Sequence, residues 1–433
     1  MVEWVRRAVA QAGVQRCVVV VGHGAEAVTE TLRRADPTGQ TETALQPERL
    51  GTGHATQCGL PALDGYSGSV LVVCGDTPLL RAETLRALIS EQQASGAACV
   101  MATMTLNDPT GYGRVIRNES GQVVGIVEQK DATEAQRKVK EVNPAVYCFD
   151  TDALRAALPQ LKNANAQGEY YLTDVIRLLV ASGQTVKAVV SSDPDEFLGV
   201  NDRWQLAQAA EILKVRRLRD LSLAGVSIVD LASTVVGPDV EIGPETTLYP
   251  NTVIEGNTTI GSGCHIGPNA WIKSCRIADD VRVFMSHMED AQMESGSRCG
   301  PFSNLRPGAH LQTSAKIGNF VEIKNATIGS QTSISHLTYI GDAQVGQRSN
   351  IGAGTITCNY DGFAKHITQI GDDCFVGSNS TLVAPLTIEN ESMVAAGSVI
   401  TKDVPEGSMA LGRSRQEVKE GWFRAWRKRK LNT

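Results

Sequence analysis

VVGPDVEIGPETTLYPNTVIEGNTTIGSGCHIGPNAWI, residues 235–272, decides the architecture of half the chain. Aliphatic side chains recur in it every six positions, at Val236, Ile242, Leu248, Ile254, Ile260, Ile266 and Ile272. Six matches neither the helical period of about 3.6 residues nor the two-residue alternation of a plain strand. It is the hexapeptide beat of a parallel β-helix, in which each repeat makes one flat side and one corner of a triangular coil. The aliphatic residue points inward and stacks on its counterparts in neighbouring coils. The beat returns at Leu305, Leu311, Ile317 and Ile323, slips by five to Ile328, and continues through Ile334 and Ile340. A last run is Ile370, Val376, Leu382, Ile388, Val394 and Ile400. Glycine follows many of these residues, as at Gly237, Gly243, Gly318 and Gly329, where it is expected to supply backbone angles crowded for other residues.

Towards the N-terminus the rhythm changes. CVVVVGHG (residues 17–24), VLVVCGD (70–76) and AACVMATMTL (97–106) are short apolar runs. Helical stretches such as RAETLRALISEQQ (81–93) separate them. Buried strands alternating with helices predict an α/β domain with a mostly parallel sheet, and ligands in such sheets sit at the carboxyl ends of strands, where Gly75 and Asp76 fall. Residues 202–227 read as a linking helix and its exit, residues 228–408 as the β-helix, and residues 409–433 as a basic tail ending KEGWFRAWRKRKLNT.

Composition narrows the function. The net charge of −6 gives no global attraction to nucleic acid or to an anionic membrane, so neither is expected as a partner. The N-terminal MVEWVRRAVAQAG reads as an amphipathic helix without a signal peptide's apolar run. Ten cysteines without close pairing predict reduced thiols and a cytoplasmic location. Neither CxxC nor HExxH occurs, so no structural zinc is expected.

QPERLGTGHA, CGDTPL, DPTGYGRV, NAQGEYYLTD, SHLTYIGDA and NIGAGTITCNYDG occur in this order across the two halves. In this the chain resembles the bacterial bifunctional N-acetylglucosamine-1-phosphate uridylyltransferase/glucosamine-1-phosphate N-acetyltransferase family, over essentially its whole length. The resemblance implies a Rossmann-like nucleotidyltransferase domain over residues 1–201, followed by a left-handed parallel β-helix. The hand comes from the resemblance alone, because spacing does not give it. Members of the family begin with a strand and a glycine-rich loop followed by a lysine, which hold the nucleotide phosphates. Here Met1 already reads as the next helix, and Gly22-His23-Gly24 is too short to replace the loop. The chain is therefore expected to be truncated at its N-terminus, with the uridylyltransferase half impaired.

The resemblance assigns two reactions. In acetyl transfer from acetyl-CoA to glucosamine-1-phosphate, the amine needs a base with a pKa near neutrality, and histidine suits. His336 matches the family's catalytic histidine. Arg306 and Lys324 match its phosphate-binding pair, with Tyr339, Asn350 and Lys365 as further substrate contacts. Lys365 lies in TCNYDGFAKHITQ (residues 357–369), a segment that interrupts the beat and is expected to be extruded. Asn359, Tyr360, Ser378, Ala396 and Arg413 match acetyl-CoA contacts. Cys358 lies nearby without an activating base, so direct transfer is expected.

In uridylyl transfer from UTP to N-acetylglucosamine-1-phosphate, the nucleophile is already anionic. The protein needs only to neutralise charge and align the attack. The family pattern gives Asp76 and Asn201 as Mg2+ ligands, Gln46, Gly51 and Thr52 as the uracil-reading segment, and Gly113, Glu128, Asn143 and Thr173 as the sugar contacts. It also implies a homotrimer with active sites between subunits. Two alternatives stay open: an acetyltransferase alone, and a non-catalytic β-helix subunit.

Overall fold

The computed structural model describes residues 1–36 and 39–431, so the last two residues of the tail expected at 409–433 lie outside it. The chain divides into two compact units, residues 1–213 and 214–433.

The first unit opens with α1 (Val2–Gln11), β1 (Cys17–Val21), α2 (Ala25–Ala35), β2 (Thr41–Leu45) and α3 (Thr52–Gly59). Next come β3 (Ser69–Val72), α4 (Ala82–Ser95), β4 (Cys99–Thr105), β5 (Gly113–Arg117) and β6 (Val123–Val127). Then follow α5 (Glu134–Arg137), β7 (Glu141–Asn143), β8 (Tyr147–Asp150), α6 (Thr151–Ala157), α7 (Thr173–Ala181) and β9 (Val186–Val190). Capping fixes the helix starts: Asp150 accepts from the Ala153 amide at α6, and Thr133 with Gln136 forms a capping box at α5.

The sheet corrects the expectation of mostly parallel pairing. Its order is β3-β8-β4-β7-β5-β6, with β9 also on β4, and only β4–β9 is parallel. β3–β8, β4–β8, β4–β7, β5–β6 and β5–β7 are all antiparallel. The reason is β8, which inserts between β3 and β4 and separates the two strands that a parallel crossover would have placed side by side. β1 and β2 pair in parallel as a separate two-stranded sheet. The core, including Leu85, Leu88, Val100, Phe149 and Ile176, lies between the main sheet and α4, α6 and α7.

The linker is α8 (Arg203–Leu223). Its beginning packs Ala209 with Leu79 and Val200 of the first unit, and its end sends Leu218 and Leu221 into the core of the second.

The second unit is a parallel β-helix. Strands stack coil on coil along three faces, as Val253–Glu255 on Trp271–Lys273, Glu241–Ile242 on Thr259–Ile260, and Thr247–Leu248 on His265–Ile266. The beat residues point inward: Leu248, Ile254, Ile266, Ile272, Ile334 and Val376 are fully buried, each worth about 1.5–3 kcal/mol against exposure. Between residues 272 and 305 the beat was not legible, because the inward positions there are Ile277, Val283, Met288, Met293 and Cys299. Spacings of five to six residues and the softer Met and Cys hid it. Buried hydroxyls at the corners accept no water, so they bond locally: Thr252 Oγ1 donates to the Tyr249 carbonyl at 2.7 Å and Thr258 Oγ1 to that of Glu255 at 2.6 Å.

The expected reason for the glycines is also corrected. Gly318 and Gly329 lie outside the left-handed region, but a Cβ on Gly318 would stand 2.0 Å from the Ser335 carbonyl oxygen, and one on Gly329 2.3 Å from the Gly346 carbonyl carbon. Close approach of the next coil, not the backbone angle, excludes a side chain there. The helix ends later than expected, since Met409–Ala410 still pairs with Met393–Val394, past the boundary at 408. The tail carries α9 (Trp422–Leu431).

Candidate active sites

One corner of the β-helix gathers the acetyl-transfer candidates. His336 ends the strand Ser333–His336, which lies beside Lys316–Asn319 one coil earlier. The Nδ1 of His336 meets Asn319 Oδ1. An amide oxygen only accepts, so Nδ1 carries the proton and Nε2 presents a lone pair on an exposed ring.

From His336 the corner continues coil by coil. The Gly354 amide donates to the Leu337 carbonyl at 3.1 Å, that of Asn379 to Ala353 at 2.7 Å, and that of Gly397 to Ser378 at 2.8 Å. Arg413 lies next in the column, with its Cδ 3.9 Å from a Cβ built on Gly397. Ser378, Ala396 and Arg413 thus follow His336 along one exposed edge of small residues.

In the other direction the same corner is apolar. Leu337, Phe320, Phe302 and Phe284 are 63%, 55%, 55% and 43% exposed, and the Phe302 and Phe320 rings stack with centroids 5.3 Å apart.

Beside the histidine stands a charged cluster. Asp342 is buried and accepts from Asn325 at 2.7 Å, from Lys324 at 3.3 Å and from Asn359. Burial pushes its carboxyl up, but the three donors outweigh burial and hold it below the usual carboxylate range. The ammonium of Lys324 stands against Lys365 and holds that lysine below the usual lysine range. Two cations facing one point suit a phosphate. Arg306 Nη1 pairs with Glu322 at 2.8 Å. Glu322 is the register partner of Tyr339, whose ring folds over Gly341, where a Cβ would stand 2.3 Å from the tyrosine hydroxyl.

The extruded segment runs from the strand Ile356–Cys358 to Thr368–Ile370. It is self-braced: Tyr360 bridges Lys365, and Asp361 accepts from the Phe363 and Ala364 amides at 2.8 Å and pairs with His366 at 2.7 Å. Asn350 stands on the third face beside Ser333, apart from the lysines.

In the first unit, a cavity of about 1380 Å³ is lined by Thr52, Asp76, Gly113, Glu128, Asn143, Thr173 and Asn201, and by β1 and β3. Gly113 is the register partner of Asn143, and Thr173 Oγ1 donates to Glu128 at 2.9 Å. Asn143 Nδ2 donates to the Tyr147 hydroxyl at 2.7 Å. Burial pushes the Glu128 carboxyl up. Asp76 and Asn201 are adjacent through the backbone, where the Val200 amide donates to the Asp76 carbonyl at 2.9 Å. Gln46 and Gly51 stand outside this lining but touch each other, Gln46 Nε2 lying 3.2 Å from the Gly51 carbonyl and 3.1 Å from His54 Nδ1. The cations of the lining, Arg6 and Arg16, are held by Glu3 and Glu42.

Sequence reasoning missed Asn319, Asp342, Glu322 and His54. The coil length could have found Asn319 and Asn325, which stand 17 residues before His336 and Asp342.

Comparison with known proteins agrees with both halves. A nucleotidyl transferase family model matches residues 1–204, a bacterial transferase hexapeptide model residues 233–274, and a hexapeptide repeat of succinyl-transferase residues 367–402. The bifunctional protein GlmU of Pelobacter propionicus is 48% identical over 98% of this chain and 91% of its own length. That of Geotalea uraniireducens is 45% identical over 98% and 92%, and that of Synechococcus elongatus 47% over 94% and 89%. Matched along nearly its whole length, the chain belongs to the family of bifunctional GlmU proteins, enzymes that are both glucosamine-1-phosphate N-acetyltransferases and N-acetylglucosamine-1-phosphate uridylyltransferases.

Proposed function

We propose that the corner at His336 carries out acetyl transfer and that the cavity at Asp76 carries out uridylyl transfer, together making UDP-N-acetylglucosamine. The observation that carries the first assignment is the His336–Asn319 contact, which leaves Nε2 as a base. Nε2 takes a proton as the amine nitrogen of glucosamine-1-phosphate attacks the thioester carbonyl. The carbon–sulfur bond breaks, and the thiol of coenzyme A leaves with a proton. Lys324, Lys365 and Arg306 hold the sugar phosphate, with Arg306 exchanging Glu322 for it, while Tyr339 and Asn350 bind the sugar. Asn359 and Tyr360 face the acetyl end, and Ser378, Ala396 and Arg413 hold coenzyme A along the column of small residues.

At the cavity, the phosphate oxygen of N-acetylglucosamine-1-phosphate attacks the α-phosphorus of UTP and pyrophosphate leaves. Gln46, Gly51 and Thr52 read the uracil; Gly113, Glu128, Asn143 and Thr173 hold the sugar. Asp76 and Asn201 would hold Mg2+: both are exposed oxygen donors at the cavity, and Gln205 Oε1 engages only the backbone amide of Asn201, at 2.7 Å, leaving its side chain to the cavity. Two protein donors suit Mg2+, which fills its shell with water and phosphate oxygens. When bound, the ion supplies charge neutralisation. A second reading, acetyl transfer alone, is favoured by one observation: both cations of the lining are already engaged by carboxylates.

The aromatic half of the corner supports self-association of the β-helix as a homotrimer. It leaves three phenylalanines and a leucine in water beside His336, so a partner covering them would close over the site. The ten free thiols fit a reducing compartment, the cytoplasm.

Paired assays test these assignments. His336→Ala should abolish thiol release from acetyl-CoA and leave pyrophosphate release from UTP intact; Asp76→Asn should do the reverse. Loss of both activities in either variant, from a folded protein, would refute the division. Thiol release without pyrophosphate release in the parent chain would establish the second reading.

A further inference from the structure

Among the described residues Phe363 is the most exposed large hydrophobic side chain, at 97%. It stands midway along the extruded segment between Ile356–Cys358 and Thr368–Ile370, two residues before Lys365. The segment is not loose there. Asp361 accepts from the Phe363 amide at 2.8 Å, and the Tyr360 hydroxyl donates to the Gly362 carbonyl at 2.6 Å. A braced loop thus holds an aromatic ring clear of its own chain, with Tyr360 and Ile367 of the same segment also exposed.

A second apolar feature lies on another face. Asn350, Phe375, Met393 and Met409 are successive register partners, coil upon coil, and all four are exposed. The last three make an apolar stripe, and methionine suits a ring because its thioether is polarizable. The extruded segment leaves the coil between Asn350 and Phe375, so loop and stripe stand at the same height along the β-helix.

Assembly at the ridge beside His336 brings the two together. That ridge, Phe284, Phe302, Phe320 and Leu337, is the corner between the face of Ser333–His336 and the face that starts at Tyr339. Three copies meeting there about a threefold axis set the Tyr339 face of each opposite the Ser333 face of the next. The segment leaves the far edge of the first face, since the strand Ile356–Cys358 pairs with Tyr339. The stripe stands at the start of the second, since Asn350 pairs with Ser333. The two patches differ, so the contact is heterologous, and three such contacts close a ring.

We propose that Phe363 is an anchor by which the extruded segment of one copy straps onto a second copy, seating on Phe375, Met393 and Met409 of the partner subunit. This contact presupposes acetyl transfer at His336 and assembly as a homotrimer. It holds Lys365 in place for the sugar phosphate. It also draws Asn350 of the partner subunit towards Lys324, from which Asn350 stands a face apart within one copy.

The test places the photoreactive p-benzoylphenylalanine at position 363 of the full chain. Irradiation should give covalent adducts of two and three chains, with the link mapped to the peptides that carry Phe375 and Met393. Phe363→Ala should raise KM for glucosamine-1-phosphate about tenfold with kcat near the parent's and the trimer kept in sedimentation velocity, and Phe363→Leu should restore most of it. Links within one chain only, or links between chains only at residues 411–431, overturn the proposal. So does a parental KM in the alanine variant. Linking needs no turnover: a parent that releases no thiol but links position 363 to Phe375 upholds the contact and refutes the acetyl-transfer reading alone.

Discussion

His336 Nδ1 is held by the side-chain oxygen of Asn319, one coil earlier in the β-helix. The contact fixes both the tautomer and the plane of the ring. Asn319→Ala should lower kcat for acetyl transfer about tenfold to a hundredfold with little change in KM, as expected for a group that orients a catalytic imidazole. Asn319→Asp places a carboxylate there and raises the imidazole pKa. The acidic limb of the kcat/KM profile should then move to higher pH. A profile that stays in place would reduce Asn319 to a structural role.

Glu128 carries the opposite kind of shift from a salt-bridged carboxylate. Burial, only partly offset by the Thr173 hydroxyl, raises its folded pKa. Its contribution to stability is therefore full below the unfolded value of about 4.3 and is lost as pH rises through the raised folded value. Glu128→Gln should melt at the same or a higher temperature than the parent at neutral pH, with the difference closing on acidification. KM for N-acetylglucosamine-1-phosphate should rise about tenfold if the carboxylate holds the sugar. Calorimetry with pyrophosphate kinetics checks both; a lower melting temperature at neutral pH would contradict the burial argument.

Asp342 obeys the reverse sign. Its folded pKa is depressed, so its contribution is present above the unfolded value of about 3.9 and is lost as pH falls through the lower folded value. Asp342→Asn should cost about 1–3 kcal/mol, because Lys324, Asn325 and Asn359 lose a buried acceptor. It should also flatten the acid limb of β-helix unfolding, followed by circular dichroism, and weaken glucosamine-1-phosphate binding by releasing Lys324.

The Phe302–Phe320 stack leads to an assembly prediction. Phe302→Glu with Phe320→Glu should convert the assembly to monomers in sedimentation velocity. Acetyl transfer should fall with it while uridylyl transfer continues. Monomers with full thiol release would mean that one copy completes the site alone.

Gly51 and Gly24 both have positive φ, +103° and +69°, but differ in surroundings. A Cβ on Gly51 would stand 2.7 Å from the Tyr170 carbonyl, whereas one on Gly24 meets nothing within 4 Å. Gly51→Ala should combine that clash with backbone strain, for about 1–3 kcal/mol or more, and raise KM for UTP. Gly24→Ala should lose only about 1 kcal/mol. Equal losses by thermal denaturation would show that the close approach at Gly51 relaxes freely.

The sequence by itself determined the β-helix and, outside residues 272–305, the phase of its coils. A repeat is a local signal: each aliphatic residue marks its own inward position, and the stacking partner follows one coil later. It also set the positions of the family motifs. Only the tertiary structure decided what stands beside them. Asn319 reaches His336, and Asp342 joins Lys324, Asn325 and Asn359, across separations of 17 to 18 residues that no pattern within one repeat encodes. In the first unit, the runs that form β1, β3 and β4 were legible, but β2, β5–β9 and the pairing directions were not. The antiparallel place of β8 between β3 and β4 depends on where a later strand returns, and side-chain alternation carries no information about that.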